Sequence, residues 1–478
     1  MPCTAIVPNL TSPERAQFVY DALPSGLFPT ADANARVPWR VSPEPFALNA
    51  KTLAGLEQLG PDLLAFYRAM NALYNRSVRG TAPAFIAEYL DRGKPEQIVK
   101  LTRQNRFKQD VPSLIRPDLL LTETGLVASE LDSIPGGMGF VGALAEAYCK
   151  AGIESIGGAD GMPRGFGEML RYVTGAARPT VAIVVSDESG DYRGEMRWLI
   201  DAANATGTVN AFVCAPQEIV FTEDALFIRL PDGREEKLDA IYRNFELFDI
   251  LNIPKTELMF YAARHNRVKM TPPPKASLEE KLAFALFHHS QLRGLWRAEL
   301  GNDVFARLET VFPKTWILDS RPLPPQAVIA GLESNGNPVS DWQQLLDLGK
   351  GERDYVVKPS GFSDLAWGSK GVKIANDLTK EEWRATLEGA LAAFEKTPHI
   401  LQRFHKGKRI RMPYLDTNTA EIKMFDARVR LCPYYFVTGE KTTRLGGILA
   451  TVAPADKRLI HGMSDAVMTS SFEKENGY

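Results

Sequence analysis

The chain has 478 residues, too many for one compact core, so about two or three domains or lobes are expected. Hydrophobic residues make up 45% and charged residues 24%, which excludes a disordered or fibrous chain. A formal net charge of −2 gives no overall pull toward nucleic acid or anionic membranes, and no apolar run has the length of a membrane span.

The opening Met-Pro-Cys-Thr-Ala-Ile-Val-Pro lacks the basic and apolar regions of a secretory signal. Cys3, Cys149, Cys214 and Cys432 are widely spaced and form no CxxC pair, so reduced thiols in a cytoplasm are expected. Residues 1–60 are rich in Pro and Ala and read as irregular, with short helices. Over residues 61–110, Leu63, Leu64, Phe66, Tyr67, Met70, Leu73 and Tyr74 recur at helical spacing. Residues 116–132 then form two apolar strand-like runs around a turn at Thr124-Gly125. The second run ends in Glu130-Leu131-Asp132 and a Pro-Gly-Gly loop, and a helix is expected over 140–151.

A new unit begins near Pro179. A buried-strand run over 180–186 leads through a polar loop to a helix over 195–206 and a second strand over 208–214. A hairpin around Pro231-Asp-Gly and a strand over 240–243 complete a small parallel α/β domain. Thr271-Pro-Pro-Pro-Lys275 breaks the chain, and a helical run over 278–300 follows. Strands are expected over 355–358, 400–404 and 424–431, with a helix over 380–394. The last 25 residues are polar and read as a partly mobile tail.

Residues two apart on a strand share a face, so Glu130 and Asp132 aim two carboxylates at one point, and Asp118 on the preceding strand supplies a third. Oxygen ligands beside a glycine loop suit Mg²⁺ holding a nucleotide phosphate. The bland alternative is a hairpin ending in solvated acids. Tyr355-Val-Val-Lys358-Pro-Ser360-Gly361 is a β run that ends in a lysine and opens a loop reaching Gly371, whose backbone N–H groups suit phosphates. No GxxxxGK[ST] occurs, so this is no P-loop, and the bland alternative is an ordinary exposed hairpin with surface lysines. Lys275 or Lys281 offers a second phosphate contact. His399-Ile-Leu-Gln402-Arg-Phe404 is a strand suited to lining an adenine pocket. The basic loop after it has no interleaved aromatics, which argues against nucleic acid. Asp426, Arg428 and Arg430 alternate along one strand face, and His288-His289 reads as packing.

Together these residues resemble the ATP-grasp superfamily of carboxylate–amine ligases. The family's metal motif E-x-N-x-x-P-G resembles Glu130-Leu-Asp132-Ser-Ile-Pro135-Gly136-Gly137, and its preceding strand resembles Arg116-Pro-Asp118. Here the metal motif precedes the lysine motifs, as in the circularly permuted eukaryotic-type glutathione synthetases and glutathionylspermidine synthases. Ile241-Tyr-Arg243, Lys281, Val356-Val-Lys358-Pro and Ile400-Leu-Gln402 follow in the order of that family, over roughly residues 110–460.

The resemblance implies an α+β or α/β chain with a circularly permuted ATP-grasp fold. Residues 1–178 would hold a helical segment and the metal hairpin, residues 179–270 an inserted parallel α/β substrate domain, and residues 271–478 the lysine, lid and hinge segments. It implies an ADP-forming ligase in which Glu130, Asp132 and Asp118 hold Mg²⁺. Lys281, Lys358, Ser360, Gly361, Gly371, Gln402 and Phe404 would hold ATP. Arg116 and Arg243 would bind the substrate carboxylate, and Arg428 and Arg430, with Arg116, would stabilise the transferring phosphoryl group. The partners would be a small carboxylic acid and an amine, without nucleic acid or membrane, in a cytoplasmic protein that is often a homodimer in this family. Alternatives are a nucleotide-binding scaffold and a small-molecule kinase of the same fold. Asp132 stands where relatives carry asparagine, and residues 360–367 stand where relatives carry a run of glycines. Neither an alanine-rich glutathione loop nor a Cys-His amidase signature is evident.

Overall fold

The computed structural model describes residues 10–30, 35–132, 134–334, 336–462 and 464–478, so Cys3 and Ser133 lie outside it. The chain is mixed α/β with several sheets. It divides into two compact units, one made of Met1–Leu64, Pro112–Pro273 and Lys406–Tyr478, the other of Ala65–Val111 and Pro274–His405.

The first unit carries a seven-stranded sheet. Its order is Phe46–Leu48, Val467–Glu473, Thr443–Pro454, Glu421–Val437, Leu114–Thr122 and Gly125–Asp132, with Ile410–Asp416 also on Glu421–Val437. The pairings are antiparallel apart from the first, which is parallel. Glu421–Val437 outruns the expected 424–431 because its first half pairs with one partner and its second half with two others. Within the tail read as partly mobile, Val467–Glu473 is a strand, buried from Val467 to Ser471. Thr469 and Ser470 place their hydroxyls on Tyr148 and Ser155, so polar composition there marks buried hydrogen bonds rather than solvent.

A second sheet in this unit is wholly parallel, in the order Lys269–Thr271, Ala240–Asn244, Thr180–Val185, Asn210–Cys214. Val181 to Val185 are all buried, as a strand covered on both faces requires. Helices Met138–Lys150, Gly161–Thr174 and Arg193–Ala205 pack beside it in one core that includes Phe140, Leu144, Phe166, Ile183 and Leu199.

In the second unit, Thr315–Ile317, His399–Arg403, Tyr355–Pro359 and Lys373–Ile374 form an antiparallel sheet. Helix Lys380–Ala392 begins at a capping box of Thr379 and Glu382, and its Trp383 is buried in the core with Leu345, Tyr355 and Leu401. The continuous run expected over 278–300 is broken into helices Leu282–His288 and Arg293–Leu300 by a turn at Ser290–Leu292. Likewise, helix Ala50–Val78 starts within the stretch read as irregular and carries Pro61 inside it.

Among the described residues, no helix is long and apolar enough to cross a membrane. Cys149 is disulfide-bonded, against the expectation of four reduced thiols, whereas Cys214 and Cys432 are free and buried. Cysteine spacing alone does not settle connectivity, which is why no pairing was foreseen.

Candidate functional site

Strands Leu114–Thr122 and Gly125–Asp132 form the expected carboxylate hairpin. Their register sets Arg116 opposite Asp132 and Asp118 opposite Glu130, with an irregularity after Asp118. Opposed residues of an antiparallel pair share a face, as do residues two apart. Arg116, Asp118, Glu130 and Asp132 therefore lie on one face. Strand Glu421–Val437 flanks the other edge of Leu114–Thr122 and brings Arg430, Cys432 and Tyr434 to the same place.

Asp118 is the buried hub, with 0% of its surface exposed. Its Oδ1 accepts from Arg116 Nε at 2.9 Å and from the Cys432 thiol at 3.3 Å. Its Oδ2 faces Arg430 Nη1 at 2.8 Å. Arg116 also pairs through Nη2 with Asp132 Oδ2 at 2.8 Å, and Asp132 Oδ1 accepts the Ile134 N–H at 2.8 Å. Burial alone would lower the Arg116 pKa, but Asp118 and Asp132 outweigh it and hold the guanidinium charged. Burial pushes the Cys432 thiol up to about 12, and Asp118 adds to the shift, so this cysteine is a donor and not a nucleophile.

The glycine loop after the hairpin is held on both sides of one peptide. The Gly136 carbonyl accepts from Tyr434 OH at 2.7 Å and from Arg116 Nη1 at 3.3 Å. The adjoining Gly137 N–H donates to Glu195 Oε1 at 2.5 Å, and Phe140 N–H donates to Glu195 Oε2 at 3.2 Å. Gly137 has φ +91°, and a Cβ on Gly139 would lie 1.9 Å from the Glu195 carbonyl, so glycine is required at both places. Glu195 is fully buried, and burial raises its carboxyl to about 7 even against these amide hydrogen bonds.

Other expected residues of this unit lie elsewhere. Arg428 donates through Nε to the Gly407 carbonyl at 3.1 Å and through Nη1 to the Lys457 carbonyl at 2.9 Å. Burial and the like charges of Arg409 and Arg458 lower its pKa. Asp426 is exposed, 4.0 Å from Arg411, so the strand face of Asp426, Arg428 and Arg430 does not converge on one spot. Arg243 is fully buried and donates to the carbonyls of Phe245, Pro272 and Pro273.

In the second unit, Lys358 is the penultimate residue of strand Tyr355–Pro359 and is buried, and Lys281 Nζ donates to the Ala366 carbonyl at 3.2 Å. The loop donors expected for phosphate have internal acceptors. Ser360 Oγ donates to Glu280 Oε2 at 2.6 Å and Gly361 N–H to Glu280 Oε1 at 2.8 Å. Lys94 Nζ pairs with Glu280 Oε2 at 2.7 Å, both side chains fully covered. Gly371 N–H donates to the Leu365 carbonyl at 2.8 Å. Lys275 is buried among Asn71 Oδ1 and the carbonyls of Phe107, Lys108 and Asp110, and burial lowers its amine to about 8. Gln402 is buried in the central strand of the sheet and donates to Thr315 Oγ1 at 3.3 Å, while Phe404 N–H donates to the Asp354 carbonyl at 2.9 Å. His288 Nε2 contacts the Phe312 carbonyl, in keeping with a packing role.

The sequence reading missed Glu195, Glu280, Cys432 and Tyr434. Extending the alternation Arg428, Arg430 by two more steps reaches Cys432 and Tyr434, so that pair was within reach of period-2 reasoning. Glu195 and Glu280 come to their loops from helix starts remote in sequence, and no local pattern marks them.

Among the described residues, no group of three or more His, Cys, Asp or Glu is disposed to hold a metal ion. Mg²⁺ needs fewer, since it commonly takes one or two protein carboxylates and completes its shell with phosphate and water. The half-buried Glu130 and Asp132 fit that requirement. Asp118 does not, because it is fully buried and two guanidinium groups engage its oxygens, whereas Asp132 is half-buried and meets one.

The arrangement of sheets and hairpin is that of a glutathione synthetase-like fold. The likeness is to a glutathione synthetase-like effector of Globodera pallida in its apo form, with a TM-score of 0.61 over 97% of each chain at 14% identity. A Methylobacillus flagellatus protein provisionally named γ-glutamylcysteine synthetase gives a TM-score of 0.41 over 87% of each chain at 13% identity, too slight a likeness to argue from. No family model and no curated protein matches the chain.

Proposed function

We propose that this protein is an ATP-dependent carboxylate–amine ligase built on a circularly permuted ATP-grasp fold, with the parallel α/β segment of residues 179–270 as its substrate domain. The observation that carries the reading is the single strand face holding Arg116, Glu130 and Asp132 around Asp118 and Arg430, within a glutathione synthetase-like fold. In this reading Glu130 and Asp132 hold Mg²⁺, which when bound neutralises phosphate charge. Asp118 keeps Arg116 and Arg430 charged and in place. Arg116 binds the carboxylate of the acid substrate, since a guanidinium meets a carboxylate bidentately. Lys281 and Lys358 contact the nucleotide phosphates, with residues around Gln402 and Phe404 beside the base. The acid attacks the γ-phosphate of ATP, giving an acyl phosphate and ADP, and an amine then displaces phosphate to form the amide. Positioning and charge neutralisation carry such a reaction. The test is ADP release across a panel of amino-acid-like acids and amines. Release that needs both an acid and an amine supports the ligase, and release with the acid alone indicates a kinase.

A second reading is favoured by one observation. Glu280 and the Leu365 carbonyl take the donors of Ser360, Gly361 and Gly371 that would otherwise cover phosphate. A nucleotide-binding protein without turnover would have this loop. Mg·ATP binding with no ADP release from any pair would establish it.

A further inference from the structure

We propose that Glu195 is a positioning residue for Arg116, acting through the Gly136–Gly137 peptide. The inference deepens the reading of Arg116 as the group that receives the substrate carboxylate, and rests on it. One peptide unit links the two side chains. Its N–H is bound by Glu195, and its carbonyl is bound by Arg116 and Tyr434. A peptide is planar, so fixing its N–H direction fixes its carbonyl direction. Glycine at 136 and 137 leaves the flanking torsions free, and the orientation therefore has to come from outside the loop. Glu195 supplies it from the first turn of helix Arg193–Ala205. That helix start is itself locked. The Tyr192 ring sits where a Cβ on Gly136 would fall, 2.2 Å away, and the Gly26 carbonyl lies 1.9 Å from a Cβ on Gly194.

A buried carboxyl group needs hydrogen-bond partners, and those of Glu195 come from the loop itself. Glu195 accepts backbone amides, and Arg116 binds the other end of the same peptide. The other titratable groups facing it are Tyr192, Tyr242 and Tyr434, with Asp132 beyond Arg116. The rim of the cluster thus depends on a residue that touches no substrate.

The experiment is hydrogen exchange by mass spectrometry on peptides spanning 134–145, with the strand Thr180–Val185 as the internal reference. In Glu195→Ala the loop peptides should exchange about ten-fold faster or more, the equivalent of one hydrogen bond to a charged group, with the reference strand unchanged. Glu195→Gln, which keeps one acceptor oxygen, should restore part of the protection. Tyr434→Phe, which frees the other side of the peptide, should loosen the same peptides. Arg116→Lys combined with Glu195→Ala should give less than the sum of the two, because both act on one peptide. Unchanged loop exchange in Glu195→Ala overturns the proposal, as does an equal rise in the reference strand. If Glu195→Ala fails to fold, unchanged loop exchange in both Glu195→Gln and Tyr434→Phe overturns it. The ligase reading fails separately, when wild type forms no ADP with any acid and amine while the loop effects persist. Where ADP does form, Glu195→Gln should raise KM for the acid more than it lowers kcat.

Discussion

At the residue scale, two buried acids of the first unit meet opposite conditions. Asp118 is matched by two guanidiniums, and removing it would leave them facing each other in the interior. Breaking a buried pair costs about 3–5 kcal/mol, so Asp118→Ala should lose that much stability, read as a lower midpoint in urea. Glu195 has only amides, and its carboxyl rises from 4.5 to about 7 on folding. An acid whose folded pKa lies above its unfolded value binds more protons when native. Its contribution to stability is therefore complete below pH 4.5 and is lost as pH rises through about 7. The change is on the order of 3 kcal/mol across that window. Glu195→Gln should flatten this part of the profile, and urea midpoints at pH 4.5, 6 and 8 would show it. A wild-type profile as flat as the variant's would mean that water reaches Glu195 in solution.

At the element scale, the carboxylate hairpin was legible because its information is local. Alternation sets the face, and Thr124-Gly125 sets the turn. The partner strand was legible only as far as Arg430, although the same alternation continues to Tyr434. What stayed hidden arises from contact between distant elements. Glu280 meets the loop opened by Lys358 across 80 positions, and nothing near residue 280 announces it. The terminal strand Val467–Glu473 was hidden for a related reason, since its Ser and Thr read as solvent-facing until Tyr148 and Ser155 are placed against them. Glu280 leads to a prediction of its own. It ties the start of the loop to Lys94, so Glu280→Gln should speed proteolytic cleavage within 361–371 while the rest of the chain resists. Cleavage at the wild-type rate would mean that the Ser360 and Pro398 backbone pairing alone holds the loop.

At the scale of the whole molecule, the grouping of segments was not readable in the sequence. The first unit collects three stretches and the second collects two, and each has its own buried core. The chain passes between the units four times, once at Pro273–Pro274, inside the proline run noted in the sequence. No single segment therefore carries the proposed chemistry, and the informative measurement uses the complete chain. A ligand that binds only the native state stabilises it by RT ln(1 + [L]/Kd), about 2.7 kcal/mol at one hundred times Kd. Mg·ATP should accordingly raise the unfolding temperature of the wild type. Lys358→Met removes a buried cation expected on the phosphates, and Glu130→Ala removes a metal carboxylate. Each should abolish the shift without an equal loss of stability in the absence of ligand. The two readings of the loop then separate on one further observation. If Glu280 and Gly371 keep the loop closed to phosphate, the shift should be small in wild type and larger in Glu280→Gln. If the loop donors are not needed, the shift should be the same in both. No shift in either protein, at millimolar nucleotide, would leave the ion-paired hairpin as a structural feature and overturn the ATP-binding reading.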